Sequence, residues 1–208
     1  MANVLTGGAP LKTARAAAIL VHGRGASAQD ILSLGDEFGH GDIAYLAPQA
    51  ANGTWYPYSF LAPLAQNEPH LGNALGVVGA TLDHLAREGF APERVALIGF
   101  SQGGCLALEY AARNAKRYGA VAGLSAGLIG PPGTPRAYPG SLAGTPVFLG
   151  CSDVDGHIPL ARVHESRDVF GALGATVTER IYPGMGHTVN ADETAHVRKL
   201  LAGIAAIA

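Results

Sequence analysis

Four residues in glycine-bearing loops carry the chemistry open to this sequence: a serine, a histidine and two aspartates. Ser101 is the centre of Gly99-Phe-Ser-Gln-Gly103, a Gly-x-Ser-x-Gly pattern. The apolar run 95–100 precedes it. The stretch 105–117 follows, with apolar residues recurring at roughly helical spacing and Arg113, Lys116 and Arg117 near its end, where cations suit the helix dipole. Strand, sharp turn and helix would hold a serine at a strained bend with its hydroxyl exposed, the geometry of a nucleophile elbow. The glycines remove side chains that would collide there. The N–H groups opening the helix face the same space, where an oxyanion could be stabilised. The plain alternative for Ser101 is a helix N-cap. A second match, Gly123-Leu-Ser125-Ala-Gly127, is followed by Leu-Ile-Gly-Pro-Pro-Gly-Thr-Pro, which cannot be a helix. Ser101 is therefore the candidate nucleophile.

Other loops offer its partners. His22-Gly23-Arg24-Gly25 is a glycine turn that could supply a second oxyanion donor, the Arg24 backbone N–H, beside that of Gln102. His22 reads as a structural histidine of that turn. Asp153 and Asp155 share one loop; a triad needs one carboxylate to orient the histidine, and spacing does not choose between them. The other is expected to cap the following helix. His187 lies in Gly184-Met-Gly186-His187, on an expected mobile, exposed turn before the last helix. His40, His70, His84, His164 and His196 read as surface or packing residues. In a chain with 7% aromatics, the loop 52–63 gathers Trp55, Tyr56, Tyr58 and Phe60. It is either a plug on the sheet or the wall of an apolar pocket; Trp55, Tyr56, Phe60 and His157 are the expected pocket residues. His157 and His164 with Asp153 and Asp155 are possible metal ligands, but no His-Glu-x-x-His and no zinc-spaced cysteine pair accompanies them. Neither metal nor cofactor is expected.

The elements that must position these residues alternate. Strands are predicted at 16–21, 43–47, 95–100, 120–125, 146–151 and 176–182, with a further edge strand near residues 3–7. Helices are predicted at about 27–38, 73–89, 102–117, 160–173 and 191–205. This alternation of apolar strands and helices argues for an α/β fold, a mainly parallel sheet covered on both faces. In such sheets functional loops lie at the carboxyl ends of the strands. The 208 residues are expected to form one domain, with 48% hydrophobic and 14% charged residues. A net charge of −2 without a basic block gives no support to nucleic-acid binding or polybasic membrane anchoring. No apolar run is long enough to span a bilayer. Lys12 and Arg15 before residues 16–21 have a faint leader-like look, but the run is short and reads as a core strand. Cys105 and Cys151 are expected to be buried thiols in a cytoplasmic protein. The late helices could form a homodimer face.

Taken together, Gly99-Phe-Ser-Gln-Gly-Gly104, the His22-Gly23 turn, Asp155-Gly-His-Ile-Pro159 and Gly184-Met-Gly-His187 resemble the phospholipase/carboxylesterase family of α/β-hydrolases, over nearly the whole chain and in the same order. The resemblance implies a compact hydrolase without a large cap domain. It implies Ser101 as nucleophile, His187 as base and, from the family's Asp-Pro-x-Val-Pro pattern, Asp155 as the orienting acid. Gly156 stands where the family usually has proline. Oxyanion donors at Arg24 and Gln102 are implied too. Arg24 and the aromatic loop look like the bacterial esterase branch, implying small to medium carboxylic esters as substrates. A thioesterase or lysophospholipase on the same triad is the alternative; a non-catalytic binding protein on a hydrolase fold is the distant one.

Overall fold

Strands buried on both faces need a layer of helix on each side, and that requirement sets the architecture. The computed structural model describes residues 3–39 and 41–206, so His40 lies outside the described residues. Seven strands form one sheet: β1 (Val4–Gly8), β2 (Ala16–Val21), β3 (Ile43–Pro48), β4 (Val95–Phe100), β5 (Ala120–Leu124), β6 (Pro146–Ser152) and β7 (Thr176–Tyr182). Their order is β1-β3-β2-β4-β5-β6-β7. Only β1 runs antiparallel, against β3; the other pairs are parallel. Among the described residues six α-helices accompany them: α1 (Ala28–Phe38), α2 (Leu64–Asn67), α3 (His70–Arg87), α4 (Gln102–Arg113), α5 (Leu160–Ala172) and α6 (Ala191–Ala206).

Successive strand residues point to opposite faces. Ala17, Ile19, Val21, Leu46, Leu97, Val121 and Leu149 pack with α3, α4 and α5 on one side. Ala16, Ala18, Leu20, Ala96, Ile98, Ala122 and Phe148 pack with α1 and α6 on the other. The second face is rich in alanine. The edge strand β7 alternates exposed and half-buried residues, as a strand covered on one side should. Among the described residues, no helix is long and apolar enough to cross a membrane.

Two helix ends differ from expectation by three residues or more, and one helical turn was not expected. Helix α3 starts at His70, because Glu68 Oε2 accepts the Gly72 N–H at 2.9 Å and steadies a first turn that Gly72 would otherwise weaken. Helix α4 stops at Arg113, where the Asn114 N–H and Nδ2 both donate to Tyr110 O at 3.0 Å. The single turn of α2 has no periodicity to announce it.

At the start of α1, Ser27 Oγ accepts the Asp30 N–H while Asp30 accepts the Ser27 N–H, a capping box. Ser27→Ala should lower unfolding free energy by about 1 kcal/mol in urea titration, with the fold unchanged.

Candidate active site

All the loops singled out above open at the carboxyl ends of parallel strands: 22–25 after β2, 49–63 after β3, Ser101 after β4, 153–159 after β6 and 183–190 after β7. Ser101 has φ 54° and ψ −124°, a conformation that costs a non-glycine residue about 1–3 kcal/mol. Its own backbone holds it there. The Ser101 N–H donates to Leu124 O, and Ser101 O accepts the Cys105 N–H, each at 2.9 Å. Two glycines make the bend possible by close approach. A methyl on Gly103 would strike the carbonyl oxygens of Val21 and His22, and one on Gly99 would stand 2.6 Å from the Gly104 nitrogen. The Ser101 hydroxyl makes no capping bond to α4. It points elsewhere.

That direction is His187, whose Nε2 lies 2.8 Å from Ser101 Oγ; its Nδ1 lies 2.7 Å from Asp155 Oδ2. Asp155 is fully buried as a side chain, and its Oδ1 accepts the N–H groups of His157 and Ile158 at 2.8 and 3.0 Å. Burial pushes its carboxyl up, but His187 and the two N–H groups outweigh that and hold it below the ordinary aspartate range. An ionised Asp155 can only accept, so Nδ1 carries the proton, Nε2 accepts, and the Ser101 hydroxyl donates. This array can move a proton from a hydroxyl to an imidazole and stabilise the imidazolium.

The other expectations for these loops change. Asp153 does not cap α5: Pro159 occupies that N-cap, and neither aspartate side chain reaches it. Asp153 Oδ1 instead accepts the Gly184 N–H at 2.8 Å, tying the aspartate loop to the histidine loop. The turn around His187 is exposed at Gly184 and Gly186, but His187 itself is only 21% exposed. Phe100 and His157 flank its ring, with centroids 5.0 and 4.7 Å away. Ser125 is buried and also strained, at φ 45°; no helix follows it, and its hydroxyl donates to Thr188 O at 3.4 Å. His70 is exposed, while His84, His164 and His196 are half-buried. Cys105 and Cys151 are both free and buried, and burial raises each thiol to about 12. Among the described residues no three of His, Cys, Asp and Glu gather as metal ligands would.

His22 is buried. Its Nε2 accepts the Ala50 N–H at 3.1 Å, so Nδ1 carries the proton and donates to Gly23 O at 2.8 Å. Burial lowers its pKa and keeps this neutral form. The backbone N–H groups of Arg24 and Gln102 make no hydrogen bond among the described residues, and both residues line a cavity that also contains Ser101 and His187. Their side chains grip the aromatic loop. Arg24 donates to the carbonyls of Tyr56, Pro57 and Tyr58 at 2.9, 2.9 and 2.7 Å. Gln102 Oε1 accepts the Trp55 N–H at 3.0 Å, and its Nε2 donates to Tyr56 O at 2.8 Å. Buried Asn67 completes the grip, accepting the Tyr58 N–H and donating to Ser59 O.

The loop is both plug and wall. Trp55 is the plug: its Nε1–H donates to His22 O at 2.8 Å, its ring lies on His22, and it does not line the cavity. Tyr56, Phe60 and His157 do line the cavity. Tyr58 of the same aromatic loop also lines it, as do Cys105 and Ile158, which were not anticipated. Its volume is about 360 Å³. No sequence signal marks Asn67 or the Arg24 side chain, because what they contact is backbone.

Comparison with known proteins identifies the family and the fold. The family model for phospholipase/carboxylesterase matches residues 8–204. The crystal structure of a phospholipase/carboxylesterase from Dyadobacter fermentans superimposes with a TM-score of 0.93 at 40% identity, covering 97% of both chains. Acyl-protein thioesterase 1 of Gibberella zeae is 31% identical over 122 residues; the match takes in 54% of this chain and 49% of that protein, so the chain spans about half the length of this relative. The Bacillus cereus carboxylesterase shares the fold, with a TM-score of 0.75 at 20% identity over 98% of this chain and 95% of that one. A chain that folds around a serine elbow in this way, and matches the family model almost from end to end, belongs to the phospholipase/carboxylesterase family of serine hydrolases.

Proposed function

We propose that the protein is a serine carboxylesterase that hydrolyses small to medium carboxylic esters through an acyl-enzyme. The observation that carries this reading is the pair of contacts made by His187: 2.8 Å to Ser101 Oγ and 2.7 Å to Asp155 Oδ2. Ser101 Oγ attacks the ester carbonyl as its proton passes to His187 Nε2. The carbonyl oxygen becomes an oxyanion and accepts hydrogen bonds from the Arg24 and Gln102 N–H groups; losing one such donor typically costs about 3 kcal/mol of barrier. The intermediate collapses, the bond to the alcohol oxygen breaks, and Nε2 returns its proton to the leaving alkoxide. Water then repeats the sequence on the acyl-enzyme, with His187 as its base. Asp155 stays ionised and holds the imidazole in the productive tautomer.

The cavity supports the size class. A space of about 360 Å³ lies at the small end of ligand pockets, and Tyr56, Tyr58, Phe60 and Ile158 make its wall largely apolar. A second reading, an acyl thioesterase on the same residues, is favoured by one observation: the 31% identity to an acyl-protein thioesterase. A series of oxygen and thio esters of increasing acyl length separates the two. The esterase reading expects the highest kcat/KM on short oxygen esters. A maximum on long-chain thio esters would replace it.

Asp155→Asn should lower kcat by roughly three to four orders of magnitude, whereas Asp153→Asn should change it by less than about tenfold, measured on p-nitrophenyl butyrate. The reverse ranking would move the acid to Asp153. Arg24→Ala keeps the backbone N–H but frees the aromatic loop. It should raise KM for aryl esters by roughly three- to tenfold with a smaller change in kcat. An unchanged KM would mean that the loop does not bind substrate.

A further inference from the structure

The loop that carries His187 is tied to its surroundings at several points. Asp153 accepts the Gly184 N–H, Ser125 donates to Thr188 O, and Asn190 Nδ2 donates to Met185 Sδ at 3.0 Å. Its far end is the first turn of α6, built on a reciprocal pair. Asn190 Oδ1 accepts the Glu193 N–H at 3.0 Å, and Glu193 Oε2 accepts the Asn190 N–H at 2.9 Å. Such a pair is ordinarily a surface feature, but Glu193 is fully buried.

Its carboxyl rests on β6 at Gly150. A methyl there would stand 2.9 and 3.0 Å from Glu193 Cγ and Cδ, and would collide with Oε1. Oε1 has no hydrogen-bond partner among the described residues. The titratable groups that act on or feel Glu193 are Asp192 on its own helix, Cys151 on β6 and Tyr182 on β7, and none is a cation. Burying an acid without a cation is costly, and a surface residue could cap α6 without that cost. What burial adds is a fixed distance between α6 and the strand that leads to Asp155.

We infer that Glu193 is a positioning residue for His187: its buried carboxyl, seated on Gly150, fixes Asn190 and so the end of the loop that places the imidazole beside Ser101. This rests on the reading of His187 as the base. Burial first, then Asp192, raises the carboxyl to about 7 against the hydrogen bond from Asn190. The folded state thus keeps a proton that the unfolded chain releases between the ordinary glutamate value and about 7. Stability should fall as pH rises through that window.

The test compares Glu193→Gln, Glu193→Leu and Gly150→Ala, each normalised to the folded fraction measured by far-UV circular dichroism. Gln keeps both the shape and the acceptor for the Asn190 N–H. It should keep kcat within about threefold and flatten the dependence of Tm on pH between about 5 and 7. Leu removes the acceptor and Gly150→Ala displaces the carboxyl. Each should lower kcat by roughly 10- to 100-fold while KM moves by less than about twofold, the mark of a misplaced base. A folded Glu193→Leu or Gly150→Ala protein with wild-type kcat overturns the inference. So does a Glu193→Gln protein as slow as Glu193→Leu. If Leu fails to fold, Gln and Gly150→Ala still decide. A His187→Ala control that loses activity leaves the base assignment standing whatever Glu193 does; one that keeps full kcat overturns that assignment and this inference with it.

Discussion

Everything at this site depends on how closely three pieces of backbone can meet. The end of β2, the end of β4 and the first turn of α4 come together within contact distances that admit no side chain at Gly99 or Gly103. That approach forces Ser101 to a positive φ and turns its hydroxyl away from its own helix toward the space above the sheet. The strain is carried by the sheet: the Ser101 N–H is committed to β5 and its carbonyl to α4. The parallel register of β2, β4 and β5 is therefore part of the site, since a slip in any of them would move Ser101.

The histidine is held differently. No regular element contains it, and its place is the sum of contacts from separate parts of the chain. Asp155 grips its ring, Phe100 and His157 flank it, and Asp153 and Ser125 fasten the backbone on either side. The serine is thus set by close packing and the imidazole by polar ties. Errors of position at the two groups arise from different kinds of mutation.

Much of this was legible beforehand, for identifiable reasons. The interior strands could be read because burial on both faces leaves unbroken apolar runs such as 16–21 and 95–100. The loops could be read because their glycines and polar residues interrupt those runs at the same end of each strand. Two classes of feature were not legible. Helix ends set by a side chain reaching back to the main chain, as Glu68 does for Gly72, leave no periodic trace. Side chains that bind backbone carbonyls, such as Arg24 and Asn67, have partners whose identity the sequence does not encode. Trp55 shows the same limit from the other side: its aromatic company suggested a pocket, while its indole N–H was committed to the main chain of His22.

The grip of Arg24 on the aromatic loop has one more consequence. Among the described residues its guanidinium donates hydrogen bonds to three carbonyl oxygens and to no side chain, so these bonds hold residues 56–58 by the path of their main chain. Anchorage and lining are then separate properties of the same segment. Tyr58, exposed and lining the cavity, could be exchanged to reshape it while the tether stays intact, whereas Tyr56 is buried in the core and could not, so the stretch is interchangeable at one position and fixed at its neighbour.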